Sequence, residues 1–426
     1  DCQCREHDHL QCGRQYDDLR QLCRRRGFVK DVFIYDAIRS ARTRAKANGG
    51  LHALTPPELL KPLYQALTQR NQLDPALVSE VILGCVTQHG EQAGNIAKTS
   101  VLFAGWPESV SGLTVHRFCS SSIDAIALAG LKVAAGYTRA IIAGGVEMMS
   151  RVPMLSDAAR VFSDPAYAMQ HQMLLMGSGA DLIATRIGAS REDCDTVALE
   201  SQKRAARAQL EGRFHSIIPI KTPQGMISED ECVRADITAT DLANLPAAFA
   251  ELGDAGADFI QLQKFPELKA IEHVHTAGNS PAMCDGAALI LIGDGAFGQA
   301  LGIAPKARLV ASTAASGEPL EVVSGCVTVT EALLADQSLR AHDIDLFEIH
   351  EAFAATVVKT RQVLDIDGSR LNVNGGVIAL GHPMGATGAI MTGTLIDELH
   401  RQQRANGIVA ASGAAGSGSA LLLERC

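Results

Sequence analysis

The sequence predicts an α/β protein whose core is built twice. A strand-like Leu113 to Val115 runs into Cys119, then into a helix-forming run of small residues and the apolar strand AIIAGGVEMM. Near the C-terminus, strand-like Leu371 to Val373 leads through a Gly-rich turn carrying His382 into a second such helix and the strand GIVAAS. The order strand, turn, helix, strand therefore occurs twice, each time with one reactive side chain just ahead of its helix. Composition agrees. The 426 residues are 47% hydrophobic, 20% charged and only 4% aromatic, which suits a large core of closely packed helices and sheet.

Taken in order, residues 1–29 stand apart. They are polar, rich in Arg and Cys and without periodicity, and read as a disordered tail or a remnant outside the fold, with a Cys/His zinc knuckle as the sharper alternative. The globular part opens with a strand around Val32 to Tyr35 and a basic loop holding Arg39, Arg42 and Arg44. Pro56 begins a helix; VSEVILGC is a second strand, and GNIAKTSVLFAG is helical. Residues 151–270 are richer in Met and charge and carry several helical patterns. They read as a loop domain inserted in the first half (30–293), the second half being 294–426. AGNSPAMCDG (277–286) returns the chain to the core.

The net charge of −9 and the lack of a basic patch argue against nucleic acid as a partner. No apolar run is long enough for a membrane span, and the scattered cysteines of a large Ala-rich chain suggest a reduced, cytoplasmic setting. Apart from Cys2 and Cys4 there is no metal-ligand spacing.

Four places carry candidate chemistry. Cys119 lies at a helix start, where free N–H groups and the helix dipole favour thiolate. His382, between Gly381 and Pro383, occupies the matching helix start in the other half, and a pseudo-twofold would bring the two together as a nucleophile and its base. His350 and Glu351 end an apolar strand. The turn Ser412 to Gly418 offers backbone N–H groups for an oxyanion, with Ser412 as a proton donor.

Together FCSSS (118–122), GGVEMMS (144–150), HEAF (350–353), NVNGGVIALGHPMGATG (372–388) and the GAAGSG loop resemble the thiolase family over roughly residues 30 to 425. The resemblance implies a duplicated thiolase fold, a five-layered α/β/α/β/α core with an inserted loop domain. It implies acyl transfer between an enzyme cysteine and coenzyme A, coupled to reversible Claisen chemistry on a 3-oxoacyl-CoA. Cys119 matches the acyl-carrying nucleophile and His382 the base that activates it. His350, where biosynthetic members have Asn, would form an oxyanion hole with His382, as in β-oxidation members. The N–H groups of Cys119 and Gly416 would polarise the acyl-enzyme carbonyl. Met176 resembles a pantetheine contact, and Ser280 stands beside Pro281, which occupies the place of a usual serine near CoA.

The resemblance further implies acyl-CoA and CoA as partners, no resident cofactor, a homodimer or homotetramer, and a possible β-oxidation complex. One departure is chemical: the family's second cysteine falls at Ser412, and a hydroxyl is a far weaker acid than a thiol. Two other readings therefore stand beside a thiolase: a related acyltransferase or synthase subunit with another acceptor, and a non-catalytic CoA-binding protein.

Overall fold

The structure, a computed structural model, describes residues 30–426. The tail and zinc-knuckle expectations for residues 1–29 lie outside the described residues. Nine strands form one path, with the short Thr43–Arg44 (β2) paired beside it. From one edge it runs Ser111–Val115 (β4), Glu80–Gly84 (β3), Ala140–Met148 (β5), Cys284–Asp294 (β8) and Val32–Arg39 (β1). From the other edge it runs Leu346–Ile349 (β10), Asn406–Ser412 (β11), Ser417–Arg425 (β12) and Ala307–Ser316 (β9). The pairings mirror each other. β4, β3 and β5 are mutually parallel and β8 and β1 antiparallel; β10 and β11 are parallel, and β12 and β9 antiparallel. The two sets meet where Val32–Ile34 of β1 pair with Ala307–Leu309 of β9.

The predicted strand at 371–373 shrinks to a single parallel bridge between Leu371 and Phe347, in the place that β4 holds in the first half. The reason lies in one side chain. Asn372 accepts from Ile349 N–H and donates to Ile349 C=O, both at 2.9 Å, so its amide replaces the next rung of the ladder.

Strand alternation sorts the core into layers. On β8, Ala288, Ile290 and Ile292 face inward while Ala287, Leu289 and Leu291 face the opposite side. On β12, Leu421 and Leu423 face inward and Ala420 and Leu422 outward. The inward faces of both sets enclose the Ser121–Ala134 and Thr387–Gln402 helices. The Pro56–Asn71 and Ile96–Phe103 helices cover one outer face. The Gly325–Asp336 and Ala354–Leu364 helices cover the other. This is the expected α/β/α/β/α arrangement.

The two central helices lie very close: a Cβ on Gly388 would come within 2.4 Å of Ile123 Cγ1, and Ala389 N–H donates to Ser122 Oγ at 2.9 Å. The inserted segment holds the Met176–Ile187 and Arg191–Leu210 helices and the ribbon of Ile220–Thr222 (β6) and Gly225–Ile227 (β7). A buried ion cluster pins it to the core. Asp230 accepts from Arg39 (2.8 and 3.0 Å), from Arg42 Nη2 (2.8 Å) and from Arg42 N–H (2.7 Å). Against the penalty of burial, the two guanidiniums hold the Asp230 carboxyl well below the usual carboxylate range. No helix among the described residues is long and apolar enough to cross a membrane.

Candidate active site

The junctions after β4 and after the Leu371 bridge face one another across the central layer. In the first, Phe118 takes a positive φ of 50°, and Ser120 and Ser121 turn their hydroxyls back to Arg117 O and Phe118 O, which sets Cys119 at the lip of a cavity just before its helix. In the second, Gly381 at φ 99° turns the chain, and His382 N–H donates to Ala282 O at 2.8 Å. His382 Nε2 then lies 3.1 Å from Cys119 Sγ, with Nδ1 2.8 Å from Thr387 Oγ1. The sequence separation of 263 between the two partners is closed by the fold rather than by local chain.

Two glycines permit this approach. A Cβ on Gly84 would stand 2.5 Å from Ser122 N and 2.7 Å from Gly385 O; on Gly145, its ladder partner, it would stand 2.3 Å from Gly385 O. The His382 turn rests directly on the backbone of β3 and β5. Glu147 clamps it there. Its carboxylate accepts from Val86 N–H (2.9 Å), Thr87 N–H (3.0 Å), Gly385 N–H (2.9 Å) and the Gln92 amide (2.8 Å). Glu147 and Thr387 were not singled out as site residues from the sequence. Glu147 lies inside a quoted motif, but only tertiary structure reveals that it reaches the other half.

The electrostatics revise one expectation. Burial, reinforced by the Glu147 carboxylate, pushes the Cys119 thiol up to about 12, so the helix start does not leave a thiolate at rest. Burial, then His350 and Arg42, push His382 well below its ordinary range. The resting pair is thiol and neutral imidazole, an arrangement suited to proton removal during attack. His350 is buried, its ring 4.5 Å from that of His382, and burial lowers it to about 4. Both its ring nitrogens are buried and neither makes a hydrogen bond of good geometry among the described residues, although the Ser412 carbonyl lies close enough to act on the ring; Ser280 Oγ is likewise without a partner. All three groups belong to side chains on the same cavity wall. Buried polar atoms left open in this way are places for ligand hydrogen bonds.

The cavity measures about 360 Å³ and is lined by Cys119, His350, His382, Met176, Ser280 and Ser412 among others. Two assignments do not survive. Gly416 is not on its wall, and its N–H donates to Val322 O at 2.8 Å. That glycine is required by its φ of 71° and by Glu318 O, 2.7 Å from where a Cβ would stand. Gly413 and Ala414 line the cavity instead. Gly413 N–H is used by Ser417 O (2.7 Å), which leaves Ala414 N–H as the donor this turn can present. Ser412 lies on the wall but is turned into the protein: its Oγ accepts from Cys326 N–H (2.9 Å) and donates to Val323 O (2.7 Å), so its proton is already committed. Glu351 also points away, accepting from Ser201 Oγ (2.7 Å) and Ile378 N–H (3.2 Å) to tie the inserted segment to the His382 turn.

A cysteine beside an imidazole base, with open donors across an apolar cavity, defines a thioester-handling centre, and the family comparison agrees. Residues 32–263 match the thiolase N-terminal domain and residues 303–425 the thiolase C-terminal domain. The chain belongs to the thiolase family and is an acyltransferase of that type. It is 35% identical to the 3-oxoadipyl-CoA/3-oxo-5,6-dehydrosuberyl-CoA thiolase of Escherichia coli, covering 93% of this chain and 100% of the relative. It is 34% identical to a 3-ketoacyl-CoA thiolase of Bacillus subtilis, with the same coverage of both chains. The crystal structure of the Bacillus anthracis acetyl-CoA acetyltransferase superposes with a TM-score of 0.81 at 32% identity, over 94% of this chain and 100% of that one.

Proposed function

We propose that this chain cleaves a 3-oxoacyl-CoA through an acyl enzyme on Cys119, or runs the reverse condensation. The observation that carries this is the 3.1 Å contact between Cys119 Sγ and His382 Nε2 at the mouth of an apolar cavity of about 360 Å³. With Nδ1–H donating to Thr387 Oγ1, the Nε2 lone pair is left for the thiol proton. Cys119 Sγ attacks the keto carbonyl as His382 takes that proton; the bond between C2 and C3 breaks, and acetyl-CoA departs as its enolate. His350 and His382 hold the enolate oxygen, and the proton that His382 took from Cys119 is passed to C2, which completes acetyl-CoA and leaves the imidazole neutral. The N–H groups of Cys119 and Ala414 polarise the acyl-enzyme carbonyl while the thiol of a second CoA attacks it; His382 takes that thiol's proton and returns it to Cys119 Sγ as the bond between acyl carbon and Cys119 breaks. Ser412 has a holding role. Met176 and Ser280 contact pantetheine. CoA is substrate, with no resident cofactor; a cytoplasmic homodimer or homotetramer in fatty-acid β-oxidation belongs to the same reading.

The test is intact-protein and peptide mass spectrometry after incubation with 3-oxoacyl-CoA lacking free CoA. An acyl mass on the Cys119 peptide, discharged by added CoA and absent in Cys119→Ala, is expected. An unlabelled Cys119 that nonetheless turns substrate over refutes the assignment.

A second reading is favoured by the committed hydroxyl of Ser412: the acyl group goes to an acceptor other than CoA, and acyl exchange then outpaces thiolysis. The paired Cys119 and His382 argue against a protein that only binds CoA.

A further inference from the structure

Resting on that acyl-transfer reading, we infer that a second, small cavity behind His350 binds one water, through which Glu348 and Arg42 fix the ring proton of His350 on the side facing the substrate oxygen. Glu348 is then a positioning residue for cleavage of the bond between C2 and C3.

The placement follows from the strand. On β10, Leu346 packs in the inner layer while Phe347 and Ile349 pack in the outer one, so alternation sends Glu348 and His350 to the inner face. There they line a cavity of about 10 Å³ with Arg42, Glu351 and Thr394. His350 also lines the catalytic cavity, so its ring is the partition between the two. The volume admits one water where polar groups meet it, and here they do. Glu348 is 4% exposed, and its carboxyl makes no hydrogen bond among the described residues. Arg42 spends Nη2 on Asp230 and Nη1 on Gly381 O, while its Nε is buried without a partner. Neither ring nitrogen of His350 makes a hydrogen bond of good geometry. Glu351, the other carboxyl on this wall, is already tied to Ser201 Oγ and Ile378 N–H. A water in this cavity accepts from Arg42 Nε–H and from the Glu348 carboxyl, and donates to the near nitrogen of the imidazole.

Charge gives the arrangement its direction. Burial first, then the Glu351 and Glu398 carboxylates, push Glu348 well above the usual carboxylate range, and Arg42 and Arg204 do not offset this. Glu348 therefore keeps its proton and acts as a donor. Burial lowers His350 to about 4, so the ring is neutral and holds one N–H. A neutral imidazole that accepts on one nitrogen donates from the other. The Ser412 carbonyl also acts on the ring, and Ser412 lines the catalytic cavity but not the small one, so it draws the proton to the same side. No bond breaks in this network; each group keeps its proton while the N–H of His350 is held toward the enolate oxygen.

The test uses two substrates that leave the same butanoyl group on Cys119 of the full-length enzyme. 3-Oxohexanoyl-CoA does so by breaking the bond between C2 and C3, which requires the enolate to be held. Butanoyl-CoA does so by thioester exchange, which forms no enolate. Acylation of Cys119 from each is followed by quenched-flow mass spectrometry. Glu348→Met keeps the length of the side chain without its polar atoms. Its acylation from 3-oxohexanoyl-CoA is expected to fall by about tenfold or more, while that from butanoyl-CoA stays within about threefold of the parent. Glu348→Gln, which keeps a donor, is expected to restore cleavage. A Met variant that cleaves like the parent, or that loses both reactions equally, overturns the positioning role. So does a Gln variant that cleaves as poorly as the Met one. If neither substrate acylates Cys119 in the parent, the acyl-transfer reading itself falls and takes this inference with it.

Discussion

The two halves share a strand order but not a chemistry, and the contrast is sharpest at one pair of matching positions. The last β3–β5 rung pairs Gly84 with Gly145, and the last β10–β11 rung pairs Ile349 with Ala410. Two residues beyond the second member stand Glu147 in one half and Ser412 in the other. Glu147 reaches across and holds the backbone of the histidine turn; Ser412 turns inward to its own half, bonding Cys326 and Val323. The first half thus supplies the nucleophile and the scaffold for its base. The second supplies the base and the polar cavity wall. Duplicating a frame does not duplicate a site; it gives two equivalent positions that can be assigned different tasks.

Four measurements probe this division of labour. The largest effect is expected for His382→Ala, which removes the base while leaving the thiol protonated. Acylation of Cys119 should fall by roughly three orders of magnitude or more, read by quenched-flow mass spectrometry. A loss under tenfold would assign proton removal to another group. Next is Asp230→Ala, which leaves Arg39 and Arg42 buried without their counter-ion. A stability loss of about 3–5 kcal/mol is expected from denaturant titration, and an unchanged midpoint would mean the cluster does not anchor the inserted segment.

The third is a pH profile. A base must be neutral to act, and burial lowers His382 well below its ordinary range. The acid limb of kcat/KM should therefore begin clearly below the unperturbed histidine value of about 6.5, with the rate flat from there to neutrality; a limb centred near 6.5 contradicts a desolvated imidazole. The smallest effect is expected for Ser412→Ala, whose acylation rate should stay within about threefold of the parent, since its proton is not offered to the cavity. Its stability should drop by about 1–3 kcal/mol as Cys326 N–H loses its acceptor. A hundredfold rate loss would restore Ser412 as a proton donor. Ser412→Cys sharpens the same point: a sharp rise in thiolysis would indicate that the native enzyme is not tuned for it.

What could be read from the sequence was whatever repeats or is locally encoded. Cys119 and His382 were legible because each precedes a small-residue helix after a strand, and His350 because a polar residue ends an apolar run. The loop donor was misread because glycine reports backbone need rather than an available N–H: Gly416 is there for its left-handed φ and the nearby Glu318 carbonyl, while the donor on the wall belongs to Ala414. The acidity of Cys119 was misread for a related reason. A helix start is visible in sequence, but burial and a carboxylate from a neighbouring strand are not, and together they outweigh it. The strand at 371–373 failed because a single asparagine amide can stand in for a rung.

The separation of 263 residues between sulfur and imidazole has a consequence for synthesis. As the polypeptide leaves the ribosome, the nucleophile emerges long before its base, and the last strands arrive later still. An unfinished molecule therefore carries a thiol with no imidazole beside it to take its proton, and that pairing coincides with completion of the chain. Reactivity at this cysteine is in effect a certificate that both ends of the protein have met.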